Sequence, residues 1–69
     1  MAWSYRKLWI FLINKNMKRT EMMKQAGISS VALAKMGKDE PVSMEVLGKI
    51  CETLNCQVED VVEYIPNKQ

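Results

Sequence analysis

The sequence predicts an all-α fold, a compact five-helix bundle forming a single domain over residues 1–69 with its core over about 5–65. Three observations point there. Apolar residues recur at spacings of three and four along five segments, the period of a buried helix face. Gly, Asn, Pro and Ser residues stand between those segments where helices start and stop, and no two runs alternate as paired strands do. Six methionines beside few aromatics suit the irregular gaps between packed helices. At 69 residues and 48% apolar content, the chain is near the lower size at which a core stands without metal or disulfides.

The first helix is expected over residues 5–15. Tyr5, Leu8 and Leu12 share one face with Trp9 and Ile13 alongside, Asn16 ends the helix, and Met17 tucks back into the core. The second spans 19–26, with Thr20 offering an N-cap hydroxyl, Glu21 favourable in the first turn, and Met22, Met23 and Ala26 inward. It stops at Gly27, the residue type that best tolerates a left-handed helix end. The third lies behind Ser29 as N-cap, over 30–36, with Leu33 and Met36 inward, Ile28 sealing the turn before it and Gly37 terminating it. Lys38 to Pro41 reads as a loop. The fourth begins at Ser43 and carries the stripe Val46, Leu47, Ile50, Cys51 and Leu54. Asn55 breaks it and Cys56 plugs the core. The fifth, over 58–64, contributes Val61, Val62 and Ile65 before Pro66 closes the domain.

Several function classes are excluded by inventory. There is no His, and two cysteines cannot complete a tetrahedral shell, so no metal is expected. No Cys stands beside a base, no glycine loop cradles a phosphate, and no carboxylate pair faces inward, so neither catalysis nor a cofactor is expected. The apolar run 8–13 is far shorter than the roughly twenty residues a spanning helix needs. Arg6 and Lys7 precede that run without a small-residue cleavage site, so no secretory leader is expected. Cys51 and Cys56 read as free thiols of a cytoplasmic protein, acting as small hydrophobes.

Charge is divided along the chain. Residues 1–38 carry eight basic side chains against Glu21 alone, a net +7. Residues 39–69 carry Lys49 and Lys68 against seven acids, a net −5. One half is therefore suited to face a polyanion.

The basic half contains the pattern Met22-Met23-x-x-Ala26-Gly27-Ile28-Ser29-x-x-x-Leu33-x-x-Met36. It describes a short helix, a glycine turn and a second short helix, whose crossing needs small or flexible residues. The outer face of the later helix then holds Ser30, Val31, Ala34, Lys35 and Lys38, small or basic and without an acid. The segment Thr20-Glu21-Met22-Met23-Lys24-Gln25-Ala26-Gly27-Ile28-Ser29 resembles the helix-turn-helix of the Cro and phage-repressor (lambda-repressor-like, XRE) family. Residues 41–56 are similar to that family's fourth helix and the turn after it, and Val58-Glu59-Asp60-Val61-Val62 to its fifth. Gly37, where the family often has Glu, resembles a compact branch of small regulators.

The resemblance implies a transcriptional regulator, a repressor by expectation, that binds double-stranded DNA with its third helix in the major groove. By position, Ser29, Ser30, Val31, Ala34 and Lys35 would face base edges, while Arg19, Thr20 and Lys38 would approach phosphates. The chemistry agrees: Lys donates to guanine O6 or N7, Ser reads several bases, and Val31 suits a thymine methyl. The face lacks the bidentate readers Asn, Gln and Arg, which shifts weight to phosphate contacts and DNA shape. Ile10 and Phe11, with Trp9 and Ile13, make the first helix apolar nearly all round. One side of it, or Tyr64 with Ile65, is expected to form a homodimer contact. The rival is a protein-interaction module such as an antitoxin, for which the basic first half has no use.

Overall fold

The computed structural model describes residues 2–66. Four helices follow one another: α1 (Arg6–Asn14), α2 (Arg19–Ala26), α3 (Ser30–Gly37) and α4 (Met44–Leu54). They are framed by two short strands, β1 (Ala2–Ser4) and β2 (Glu63–Ile65), with a 3-10 turn at Val58–Asp60. The core draws Tyr5, Leu8 and Leu12 from the start and body of α1, Met22 and Ala26 from α2, and Ala32 and Met36 from α3. Leu47, Ile50 and Leu54 come from α4, with Ile28 and Val61 closing the turns. These residues recur at i, i+3, i+4 and i+7, so each helix buries a single stripe.

Each helix ends in the same way. Asn16, Gly27, Asp39 and Asn55 have φ of 58°, 73°, 58° and 53°, the left-handed region. After each, the next N–H reaches back to the carbonyl five residues earlier. Met17 bonds to Leu12 at 2.9 Å, Ile28 to Met23 at 3.2 Å, Glu40 to Lys35 at 2.9 Å and Cys56 to Cys51 at 3.0 Å. This closure satisfies carbonyls that would otherwise be orphaned and turns the chain sharply. It makes α3 one residue longer than expected: Gly37 is its last helical residue, and Asp39 is the stop.

The helix starts follow expectation at two places and depart at one. Ser29 Oγ accepts from the Ala32 N–H at 3.1 Å, and Ser43 Oγ from the Val46 N–H at 3.2 Å. At α2 the cap is Lys18 and not Thr20. Its N–H donates to Glu21 Oε1 at 2.9 Å, so the third helical residue provides the capping oxygen in place of an N-cap hydroxyl.

The predicted fifth helix is absent, and the all-α expectation is corrected to a mostly helical fold with one strand pair. Residues 58–60 make a single 3-10 turn, steadied by the Gln57 N–H donating to Asp60 Oδ2 at 3.1 Å. The chain then extends, and β2 pairs antiparallel with β1 in the register Ala2↔Ile65, Trp3↔Tyr64 and Ser4↔Glu63. Aromatic and β-branched residues there favour the pleat. Trp3 packs edge-on against Tyr64 with centroids 4.8 Å apart, so it anchors the start of the chain. Ile65 lies exposed on this sheet and not in the core, and Ile13 is 74% exposed on α1. An Arg6 to Glu63 ion pair at 3.8 Å adds to the closure.

Tyr5 ties this end to the loop after α3. Its ring is buried, and its hydroxyl donates to the Glu40 carbonyl at 2.6 Å. Burial, and then the Asp39 carboxylate, raise its pKa above the usual 10.0, against an opposing hydrogen bond from the Val42 backbone. Cys51 and Cys56 are free thiols, both half-buried. Burial pushes Cys56 up to about 11, with Cys51 and Asp60 adding to the shift, so it stays a protonated thiol at neutral pH.

Three substitutions test this geometry. Gly48 sits inside α4 with nothing within 4 Å of where a Cβ would stand. Gly48→Ala is therefore expected to stabilise the fold by about 1 kcal/mol in denaturant titration. Gly27 has equal space but a left-handed backbone, so Gly27→Ala is expected to destabilise by about 1 kcal/mol. Tyr5→Phe is expected to cost about 1 kcal/mol at neutral pH, the worth of one hydrogen bond. The raised folded pKa makes the Tyr5 contribution complete below pH 10.0 and lost as pH rises through the folded value. Wild type should therefore lose stability more steeply than Tyr5→Phe in alkaline melts.

Candidate nucleic-acid interface

The Gly27 turn positions the site. Gly27 and Ile28 both donate to the Met23 carbonyl, at 3.0 and 3.2 Å. Ile28 is buried, and Ser29 then opens α3 at once through its cap. Only three residues separate α2 from α3, so the second helix leaves the first at a fixed angle. Ala32 and Met36 face inward and Leu33 is half-buried beside them. The opposite side of α3 is left bare.

On that bare side the structure places Ser29, Ser30, Val31, Ala34 and Lys35, all exposed. Val31 is 65% exposed, a large apolar side chain with no core to enter. No acid lies on α3. Beside it runs a groove of about 210 Å³ between Ser29, Val31, Ala32 and Lys35 of the α3 region and Val42, Ser43 and Val46 of the next loop and helix. The spacing of the α2–α3 pattern gives no hint of these last three residues, because the fold brings them in from beyond the Asp39 turn.

The three expected phosphate partners are also exposed. Arg19 and Thr20 are the first two residues of α2, and Lys38 caps α3. The Arg19 guanidinium lies over the Trp9 ring, 3.8 Å from its centroid. A Cβ at Gly37 would come 3.8 Å from Arg19 Nη1, so the same guanidinium reaches the end of α3. From the sequence, Trp9 reads as one of the apolar residues along the first helix. The apolar period along α1 is its only local signal, and the partner stands ten positions away.

The acids of residues 39–69 are distributed over several elements. Asp39 and Glu40 follow α3, Glu45 pairs with Lys49 on α4 at 3.9 Å, and Glu63 pairs with Arg6. Among the described residues, no helix is long and apolar enough to cross a membrane.

Two short helices about a left-handed glycine, with the second presenting an acid-free face, define a helix-turn-helix domain. The chain belongs to the Cro/C1-type helix-turn-helix DNA-binding domain family, whose profile matches residues 7–67. It is similar to the uncharacterized HTH-type transcriptional regulator YozG of Bacillus subtilis (strain 168), 32% identical over 57 residues, which cover 80% of this chain and 68% of that protein. Its fold is similar to the crystal structure of the transcriptional regulator VanUg, with a TM-score of 0.91 and 45% identity over 96% of this chain and 88% of the other. The protein is a DNA-binding transcriptional regulator of this class.

Proposed function

We propose that the protein is a sequence-specific repressor that lays α3 in the major groove of double-stranded DNA. The observation that carries this is the bare face of α3, exposed along its length and free of acids. Ser29, Ser30, Val31, Ala34 and Lys35 face base edges, and Arg19, Thr20 and Lys38 grip the flanking phosphates. The small side chains let the backbone come close to the base edges, and Lys35 supplies the strongest single donor to guanine. A domain seated this way on a promoter keeps other proteins out of the same groove, which supports repression.

A homodimer suits this mode, since paired half-sites double the contacts. Ile10 is 50% exposed on α1, and Tyr64 and Ile65 are about as exposed on the sheet, which gives such a contact apolar surface on either side. Sedimentation equilibrium is expected to show self-association, and a strict monomer at high protein concentration, with and without operator DNA, would remove the dimer.

The principal test is selection of bound sequences from a random duplex pool, followed by salt titration on the winner. Affinity is expected to fall with salt at a log–log slope near the number of phosphates neutralised. Lys35→Ala and Ser30→Ala should each weaken the selected site by about 1–2 kcal/mol and leave the melting temperature nearly unchanged. Absence of duplex binding at low salt would defeat the proposal in favour of a protein partner.

A further inference from the structure

We propose that Trp9 is a positioning residue for DNA binding, holding the Arg19 guanidinium against α3 so that its donor edge meets a backbone phosphate. The inference rests on the DNA-binding mode above and adds a residue to it. Three observations on three different elements carry it.

The first is the stack itself. At 3.8 Å from the ring centroid, the guanidinium is in contact with the indole, the best aromatic surface for a cation. Stacking occupies the face of the guanidinium and leaves its five N–H donors free in their own plane.

The second is the absence of any competitor. Among the described residues, the ion pairs are Arg6–Glu63 and Lys49–Glu45, and no side-chain hydrogen bond involves Arg19. Arg19 is moreover the first residue of α2, with Lys18 as its cap. Both cations stand at the positive end of the helix dipole, where a cation is disfavoured and an anion is welcome. A guanidinium held there by an indole is in a poor place for stability and a good place for a phosphate.

The third is Gly37. The position its Cβ would take lies 3.8 Å from Arg19 Nη1, which brings the guanidinium alongside the last turn of α3. Lys38, the cap of α3, follows directly. The stack thus carries a charge from α2 across to the reading helix, spanning α1, α2 and α3.

A coupling measurement separates this role from plain packing. Affinity for a labelled duplex is measured across a salt series for wild type, Trp9→Leu, Trp9→Phe, Arg19→Gln and the Trp9→Leu/Arg19→Gln double variant, each checked for folding by circular dichroism. Arg19→Gln is expected to lower the salt slope by about one. Trp9→Leu should weaken binding about fivefold in the presence of Arg19, as expected for one cation–π contact, and should add nothing once Arg19 is Gln. Trp9→Phe should recover most of the loss. Equal losses from Trp9→Leu in both backgrounds, or none at all, would overturn the inference. Failure of wild type to bind any duplex would instead overturn the DNA-binding mode on which it rests.

A second readout covers the case in which Trp9→Leu fails to fold. With Trp3→Phe, Trp9 becomes the only indole of the two in the chain. Duplex addition should then change Trp9 emission when Arg19 is present and leave it unchanged in Arg19→Gln. An emission change of the same size in both would overturn the inference.

Discussion

A single residue in the left-handed conformation ends every helix of this domain, and the crossing of the helices depends on where those four residues stand. Asn16, Gly27, Asp39 and Asn55 each let the next N–H fold back five residues and close the helix end. At three of the four ends the closure has a second effect, because the residue after the left-handed one is turned back toward the bundle, whereas Glu40 after Asp39 stays exposed. Ile28 is buried there, and Met17 and Cys56 pack half-buried against the core. At α1, α2 and α4, helix termination and core packing are thus one event. An L residue held left-handed gives up roughly 1–2 kcal/mol, which Asn and Asp soften by bonding locally and Gly avoids altogether. Gly27 stands in the three-residue link that aims α3.

Much of this is written locally and can be read in the sequence. Asn16, Gly27 and Asn55 are residue types that favour a left-handed stop, and Ser29 and Ser43 are hydroxyls standing before an apolar period. Asp39 is the stop that sequence misplaces. Gly37, two positions earlier, is the stronger local signal, yet its backbone remains helical. The start of α2 is misplaced for a related reason. Glu21 reaches back to the Lys18 N–H, so the capping oxygen sits inside the helix while the hydroxyl of Thr20 stands idle as a cap. The expected fifth helix fails differently. Val58, Val61 and Val62 have helical spacing, whereas β2 owes its existence to a strand at the far end of the chain. No window of local sequence contains both partners.

The interface divides along the same line. A periodic pattern separates Leu33 and Met36 from Ser30, Val31, Ala34 and Lys35, so the bare face of α3 is legible once the helix is recognised; the detail left out is that Ala32 is buried and Leu33 only half-buried. Contacts between elements are not legible. Trp9 continues the apolar run of α1, and only the folded chain shows that its indole lies under a guanidinium from α2. Val42, Ser43 and Val46 reach the groove beside α3 because the Asp39 turn redirects the chain, a placement that spacing does not encode. Lys18 and Arg19 at the positive end of α2 are the clearest conflict with helix stability in the chain. Conflicts of this kind tend to mark places where function outranks stability.

The pairing of β1 with β2 has a mechanical consequence. Ala2 lies opposite Ile65, so the two strands run antiparallel with their outer ends side by side. Tension applied through those ends would open the ladder like a zipper, loading the three residue pairs in succession and not together. Such a junction yields at low force. The Gly27 turn lies well inside the chain, behind α1 on one side and α4 on the other, and would carry load only after the strands had parted. The closure thus shields the reading helix from a pull on either end while yielding readily itself.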